Sequence, residues 1–186
     1  MIPPMVPSIV VHCINEIELR GMNEQGLYRI SGANLEVKAL KEKFLRGRGV
    51  PNLSEIEIHT ICSTLKSFLR SLKEPLISSS FRLDFVRALR IKDKQDADAA
   101  LYQAISELSQ PNRDTLAFLI LHLQRVSSSP ECKMTIENLA TVFGPTLVGY
   151  LDKNNMSDET RIQIEVSKSK IIIHNNYINL KIFFYY

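Results

Sequence analysis

One arginine in this sequence stands in a setting suited to acting on another molecule. Arg29 lies between Gly26 and Gly32, in a segment that separates two stretches of helical hydrophobic periodicity. Glycines let the backbone bend sharply, so such a loop can present a guanidinium outward and into the site of a partner. Most arginines are simply solvated, and composition alone favours that interpretation. The flanking apolar residues Leu27 and Ile30 favour a loop that is held in one shape.

Two helical segments carry further polar side chains beside apolar stripes. Lys66 and Arg70 are spaced i and i+4 and therefore share one helix face, where two like charges repel by only about 0.2–0.5 kcal/mol. Asn138 lies in an apolar stretch, where its amide either forms a cap or faces a partner. The simpler interpretations are a solvated face for the basic pair and a helix-surface asparagine for Asn138.

The motifs of several large enzyme classes are absent. The sequence contains no G-x-x-x-x-G-K-[ST], no G-x-G-x-x-G and no G-x-S-x-G, and its four histidines show no H-E-x-x-H spacing. Cys13, Cys62 and Cys132 form no C-x-x-C pair. We therefore expect neither P-loop nucleotide binding nor a disulfide framework, and no metal site. The histidines are interpreted as satisfied core or surface residues.

Composition and charge are those of one globular domain. The 186 residues are 45% hydrophobic and 23% charged, which excludes collagen-like, low-complexity and disordered chains. The net charge of +3 is spread along the chain and is too small to predict binding to nucleic acid or to an anionic membrane. No apolar run approaches the roughly 20 residues that span a bilayer, and the N-terminus lacks the pattern of a secretory signal. We therefore expect a cytoplasmic protein.

Hydrophobic periodicity predicts helices through most of the chain, separated by Gly, Pro, Ser and Asn. Ser54 and Glu57 fit the S-x-x-E capping box, which predicts the start of the helix that carries Lys66 and Arg70. Asn34 is predicted to cap the preceding helix. No repeat of fixed length is present, so we expect an all-α fold, a single irregular helical bundle. The predicted helices are a Val6–Ile17 stripe stopping at Gly21, Asn34 to Gly47, Ile58–Leu72, Phe81–Arg90, Asp96–Leu108, Asp114–Val126 and Thr135–Phe143.

The composition changes after residue 150. All 7 Gly and all 8 Pro precede that point, whereas residues 151–186 hold 7 Ile and 5 of the 11 Asn. Ile162, Ile164 and Val166 alternate as in a β-strand. We therefore place one domain at residues 1–150 and interpret residues 151–186 as an atypical tail that is not part of the native domain. The alternative is a terminal helix with an edge strand.

Three segments, taken together, resemble the motifs of RhoGAP domains, the GTPase-activating domains for Rho-family GTPases. They match the family in their residue types, in their order along the chain and in their approximate separation. The resemblance covers about residues 3–149 and implies a helical bundle of the RhoGAP type. An unrelated helical interaction domain is a further alternative, but it requires three coincidences in order. The segments are G-L-Y-R-I-S-G at 26–32, a K-x-x-x-R helix from Lys66 running into L-K-E-P-L at 72–76, and N-L-A-T-V-F-G-P at 138–145.

The resemblance implies a role for each candidate residue. Arg29 matches the arginine finger, which enters the active site of the partner GTPase. There a planar, permanently charged guanidinium stabilises charge on the phosphoryl group that leaves GTP, without proton transfer. The residues implied to contact the GTPase or to support the finger are Lys66, Arg70, Asn138 and Pro145, and those implied to shape the loop are Gly26, Tyr28 and Gly32.

The resemblance also implies partners and setting. The expected partners are GTP-loaded Rac, Cdc42 or RhoA, which carry the GTP and Mg²⁺, so the domain has no cofactor of its own. It is then a GTPase activator rather than an enzyme; the alternative is a weakly catalytic GAP-like module that acts as a scaffold or effector. The segments at 1–9, 72–76 and 112–119 resemble the centralspindlin branch of the family. That likeness implies cytokinesis signalling at the spindle midzone, midbody or cortex, with the nucleus left open, and a kinesin partner through regions outside this chain.

Overall fold

The computed structural model describes residues 4–47, 49–149 and 160–168, and within those ranges the chain is helical, with a single isolated β-bridge between Ile77 and Val148. The prediction of an all-α fold is confirmed. None of the helices in these ranges is both long and apolar enough to cross a lipid bilayer. The helices are α1 (Ser8–Glu16), continued by a π-helical turn (Ile17–Gly21), α2 (Asn34–Arg46), α3 (Ile58–Arg70), α4 (Ser79–Leu89), α5 (Lys94–Ser106), α6 (Gln110–Ser128), α7 (Ile136–Leu147) and α8 (residues 160–168).

Helix α3 packs against α1, α2, α7 and the π turn. Its Ile61, Cys62 and Leu65 side chains are fully buried, and full burial of an isoleucine or leucine side chain contributes roughly 1.5–3 kcal/mol. Lys66 and Arg70 follow on the same helix, so the hydrophobic core determines where the basic pair lies. The bundle thus positions the candidate site through its most buried element.

The start of α3 differs from the prediction. Glu57 is the N-cap, and its carboxylate accepts hydrogen bonds from the backbone N–H groups of His59 at 2.8 Å and Thr60 at 2.7 Å. Ser54 lies in the preceding turn, where its N–H donates to Asn52 Oδ1 at 3.0 Å. The predicted capping box is therefore wrong. One carboxylate satisfies two unpaired amides and places negative charge at the positive end of the helix dipole, which a serine hydroxyl cannot match.

The predicted N-cap of α2 needs correction, whereas the predicted stop of the first helix at Gly21 is confirmed. The N-cap residue of α2 is Ala33, so Asn34 is the first residue of the helix and not its cap. Gly21 ends the π turn, but its role is to admit α3. An added Cβ there would lie 2.8 Å from Ile58 Cγ2, which is closer than packed carbon atoms approach. The glycine is required by packing at this helix crossing.

Prolines lie inside two helices that extend beyond their predicted ends. Helix α6 begins at Gln110 instead of Asp114, with Pro111 in its first turn, where a missing N–H costs no hydrogen bond. Helix α7 continues past Phe143 to Leu147 and includes Pro145. The proline falls in the last turn, so it interrupts the helix only where the helix is ending. Pro145 is thereby fixed on α7.

Residues 160–168 form a helix, so the β-strand predicted from the alternation at 162–166 is wrong. Helix α8 packs closely against α7. A Cβ added to Gly144 would lie only 2.9 Å from the backbone of Gln163. Gln163 Nε2 also donates to Val148 O at 2.7 Å, and Val166 is buried in the core. Residues 160–168 therefore pack against α7 and the core, and the interpretation of residues 151–186 as a tail outside the native domain stays a prediction. The other residues of 151–186 lie outside the described ranges, and the boundary at residue 150 stays a prediction.

Candidate functional site

The loop that carries Arg29 is closed by its own backbone. The N–H groups of Arg29 and Ile30 donate to Gly26 O at 2.9 and 3.0 Å, and Gly26 N–H donates to Cys132 O at 2.8 Å. Gly26 has φ +72°, which is readily adopted only by glycine. The Arg29 side chain is exposed, and within the described ranges its guanidinium forms no hydrogen bond or ion pair. The loop therefore holds the backbone of Arg29 while leaving its charge available to a partner.

Tyr28 anchors the same loop in the core. It has φ +68°, a strained value for a residue with a Cβ. Its ring is fully buried and meets the Phe143 ring edge-on, with centroids 4.9 Å apart, and its hydroxyl lies 2.6 Å from His122 Nε2. A strained backbone persists only where its surroundings hold it. The buried ring and the hydroxyl contact provide that restraint immediately before Arg29.

Lys66 contacts the loop from α3. Its Nζ donates to Tyr28 O, and the residue is only 7% exposed. Burial lowers the pKa of the Lys66 ammonium group, and the positive charge of Arg70 lowers it further. A hydrogen bond from a cation is stronger than one between neutral groups. Lys66 therefore fixes the carbonyl that precedes Arg29.

Gly32 closes the far end of the loop on α3. Its N–H donates to Ser63 Oγ at 3.0 Å. An added Cβ would lie 2.4 Å from Thr60 Cα and 2.6 Å from Thr60 N, which are backbone atoms that cannot rotate away. Thr60 Oγ1 in turn donates to Glu36 Oε2 of α2 at 3.1 Å. The loop thus ends where α2 and α3 are already joined.

The other predicted site residues lie on α3 and α7. Arg70 is exposed, and its Nε donates to Thr146 Oγ1 at 3.3 Å, next to the half-buried Pro145. Asn138 is half-buried in the first turn of α7, where its N–H donates to Thr135 Oγ1 at 3.3 Å. Asn138 and Pro145 are seven residues apart, so they share one helix face about 10 Å apart. The structure thus joins Lys66 to the Arg29 loop and Arg70 to the end of α7. Among the described residues, no hydrogen bond joins Asn138 to that loop.

Sequence analysis missed a buried polar network behind Tyr28. His122 is fully buried, and its Nδ1 lies 2.7 Å from Glu18 Oε1, which also accepts from Arg125 Nε at 2.7 Å. A carboxylate accepts only, so His122 Nδ1–H is the donor and its Nε2 accepts from the Tyr28 hydroxyl. Burial lowers the pKa of His122, although the hydrogen bond to Glu18 and its negative charge oppose this shift. The lowered pKa keeps the imidazole ring neutral. The available signal was the i, i+3 spacing of His122 and Arg125 on α6.

Acid is expected to destabilise the domain through His122. The unfolded chain takes up a proton on this side chain near its ordinary pKa of 6.5, whereas the folded protein does so only at lower pH. Unfolded chains then bind more protons, so the free energy of unfolding decreases as the pH falls below about 6.5. The lowered pKa of Glu18 adds a further loss only below its ordinary value of 4.5.

Urea unfolding at pH 7.5 and 5.5 measures this effect. We expect a lower midpoint at pH 5.5 in the native chain, and a smaller difference between the two pH values in His122→Gln. Equal pH dependence of the native chain and the variant would contradict the assignment to His122.

The site is therefore an exposed arginine on a glycine-bounded loop, braced by a buried lysine within an all-α bundle. Among known protein families, the chain matches the model of the RhoGAP domain over residues 7–151. The chain belongs to the RhoGAP domain family, and the resemblance found in its three motifs is confirmed.

Two curated relatives illustrate the likeness. The chain is 52% identical to Rac GTPase-activating protein 1 of Mus musculus over 181 residues, which is 95% of this chain and 29% of that protein. It is 40% identical to the active breakpoint cluster region-related protein of Xenopus tropicalis over 146 residues, which is 77% of this chain and 17% of that protein. The chain thus spans less than a third of the length of these relatives.

Solved structures share the fold. Human Rho GTPase activating protein 15 superposes with a TM-score of 0.84 at 30% identity, covering 92% of this chain and 82% of that one. The BH domain from GRAF, the GTPase regulator associated with focal adhesion kinase, superposes with a TM-score of 0.80 at 35% identity, covering 90% of each chain.

Proposed function

We propose that this domain binds GTP-loaded Rho-family GTPases and accelerates their GTP hydrolysis by inserting Arg29 into their active site. The observation that carries the proposal is the contrast at Arg29. Its backbone is held by Gly26, Tyr28 and Lys66, while its guanidinium is exposed and unpaired within the described ranges. The names of the relatives, Rac GTPase-activating protein 1 and Rho GTPase activating protein 15, support the same activity.

The proposed chemistry is electrostatic. As the γ-phosphoryl group leaves GTP, negative charge develops on its oxygens and on the leaving oxygen. A guanidinium stabilises that charge with no proton transfer, and a loop already fixed in place spends little free energy on rearrangement. An arginine finger accelerates hydrolysis by about 10³–10⁵, or roughly 4–7 kcal/mol of barrier. The GTP and Mg²⁺ belong to the GTPase, so the domain acts as an activator of another enzyme.

The proposed docking surface lies beside the Arg29 loop. Arg70 is exposed at the end of α3 and is joined to α7 through Thr146, while Asn138 and Pro145 lie along one face of α7. An exposed cation beside half-buried polar and apolar residues suits a partner surface that carries carboxylates. We place Rac, Cdc42 and RhoA as the partners to be compared.

The cellular proposal rests on the likeness to Rac GTPase-activating protein 1 of mouse, at 52% identity over 95% of this chain. We place the domain in the cytoplasm and in cytokinesis signalling, with the spindle midzone, midbody or cortex as its site. A kinesin would bind through regions outside this chain. Localisation of the full-length protein in dividing cells tests this proposal, and absence from the midzone, the midbody and the cortex would contradict it.

Single-turnover GTP hydrolysis tests the proposed activity. Rac, Cdc42 and RhoA, each loaded with GTP, are mixed with the native chain or with Arg29→Ala. Acceleration that depends on Arg29 supports the proposal and ranks the three partners. Binding without acceleration by the native chain would instead indicate a scaffold or effector, and failure to bind any of them would reject the proposed partners.

Arg70→Ala is expected to weaken binding and activity together. Arginine is enriched among the few interface residues whose truncation costs most, so we expect the Kd for the GTPase loaded with a non-hydrolysable GTP analogue to rise about tenfold to a hundredfold. The hydrolysis rate at subsaturating domain should fall in parallel. The matched control is Arg87→Ala, since Arg87 is an exposed arginine on α4 that pairs with Asp84. An unchanged Kd for Arg70→Ala would contradict its place in the interface.

A further inference from the structure

We propose that Tyr28, held by His122, is the positioning residue that directs Arg29 toward the bound nucleotide. The inference rests on the proposed arginine-finger function. It assigns to the tyrosine hydroxyl and to the histidine behind it a role in setting the geometry of the finger.

Tyr28 is restrained at both ends. Its carbonyl oxygen accepts from Lys66 Nζ on α3, and its hydroxyl lies 2.6 Å from His122 Nε2 on α6. Between those two points its ring is fully buried and lies against Phe143 of α7. Three helices therefore hold one residue whose φ of +68° is unfavourable without such support. The next residue is Arg29, so the direction of the finger follows from the conformation of Tyr28.

The network behind Tyr28 has one consistent direction of donation. Arg125 donates to Glu18, His122 Nδ1–H donates to Glu18 Oε1, and the Tyr28 hydroxyl donates to His122 Nε2. Every group in this series has the partner that its chemistry requires. The series also spans the π turn, α6 and the Arg29 loop, so it ties the loop to elements other than α3, which carries Lys66. Removing the hydroxyl would leave the His122 acceptor unpaired and the tyrosine ring held by packing alone.

Tyr28→Phe tests the proposal, because it deletes the hydroxyl and keeps the ring. We expect the maximal single-turnover rate at saturating domain to fall about threefold to tenfold, which corresponds to the loss of one hydrogen bond. The Kd for the GTPase loaded with a non-hydrolysable GTP analogue should change by less than about twofold. The matched control is Tyr102→Phe on the exposed face of α5, which should leave both values unchanged. An unchanged maximal rate in Tyr28→Phe would overturn the proposal.

The same substitution in the Arg29→Ala background separates positioning from general loosening of the fold. If Tyr28 acts through Arg29, Tyr28→Phe leaves the residual rate of Arg29→Ala unchanged. An equal fractional loss in both backgrounds would overturn the positioning role. Full activity of Arg29→Ala by itself would instead reject the proposed function, so the two failures are distinguishable.

Nitrogen NMR of the histidine rings gives a readout that does not depend on hydrolysis. At pH 7 we expect His122 in the neutral form with its proton on Nδ1, and a changed Nε2 shift in Tyr28→Phe. A spectrum with the proton on Nε2 would overturn the assigned direction of donation.

Discussion

Replacing Arg29 by alanine is expected to lower the maximal rate of GTP hydrolysis by the bound GTPase by about 10³–10⁵. The guanidinium is exposed and forms no hydrogen bond or ion pair with the described part of the chain that its loss would disturb. Melting temperature and affinity for the GTPase in its GTP-analogue form should therefore stay close to those of the native chain. Single-turnover hydrolysis at saturating domain, together with a binding titration, measures both quantities.

Arg29→Lys sharpens this prediction. Lysine keeps one positive charge but loses the planar fork of donors that can bind two oxygens at once, so we expect it to restore little of the lost rate. Arg46→Ala is the matched control, because Arg46 is exposed on α2 and pairs only with Glu42 in a surface salt bridge among the described contacts. Near-native acceleration by Arg29→Ala would show that the domain acts without this side chain.

Gly32→Ala is expected to reduce stability and activity together. The new Cβ would lie 2.4 Å from Thr60 Cα, so either the loop or α3 must move. We expect a loss of about 1–3 kcal/mol in the free energy of unfolding, as for other overpacked sites. A displacement of the loop by about 1 Å also misplaces Arg29, which can cost about a hundredfold in rate.

Gly49→Ala provides the matched control for Gly32→Ala. Apart from the two neighbouring residues, no heavy atom of the described chain lies within 4 Å of a Cβ built on Gly49. We therefore expect only a small change in the free energy of unfolding and in the hydrolysis rate. Urea unfolding and single-turnover hydrolysis of both variants give the comparison. If Gly32→Ala unfolds at the same urea concentration as the native chain, the tight approach of the loop to Thr60 is not a constraint on this fold.

The sequence was most informative where short-range physical rules determine structure. Repeated apolar spacings of three and four predicted the helices, because each helix must bury one face. The same rules failed at helix ends, where acceptors compete: Ser54 and Glu57 lie three residues apart, and the carboxylate caps α3 because it accepts from two amides. Alternation at 162–166 was ambiguous, since a run that short fits a strand or a helix. The close approach of Gln163 to Gly144 of α7 shows what the helix packs against.

The site itself was only partly accessible to sequence reasoning. The three segments were found as sequence motifs. Two of them, the loop at 26–32 and helix α3, meet where Lys66 Nζ donates to Tyr28 O. The network behind Tyr28 was not found, because Glu18 and His122 are separated by 104 residues and only the folded bundle brings them together. The packing of Gly32 against Thr60 was missed for a similar reason. The Thr60 backbone leaves no room for a Cβ at Gly32, and a close approach between distant residues leaves no local sequence pattern.

The most direct measurement of the central claim is binding to a Rho-family GTPase loaded with GDP and aluminium fluoride, which mimics the phosphoryl group in transit. We expect the native chain to bind this complex far more tightly than the GDP form, because Arg29 completes the charge stabilisation there. Arg29→Ala should lose that preference while still binding the GTP-analogue form. Equal affinity of the native chain and Arg29→Ala for the fluoride complex would contradict the claim that Arg29 enters the active site of the GTPase.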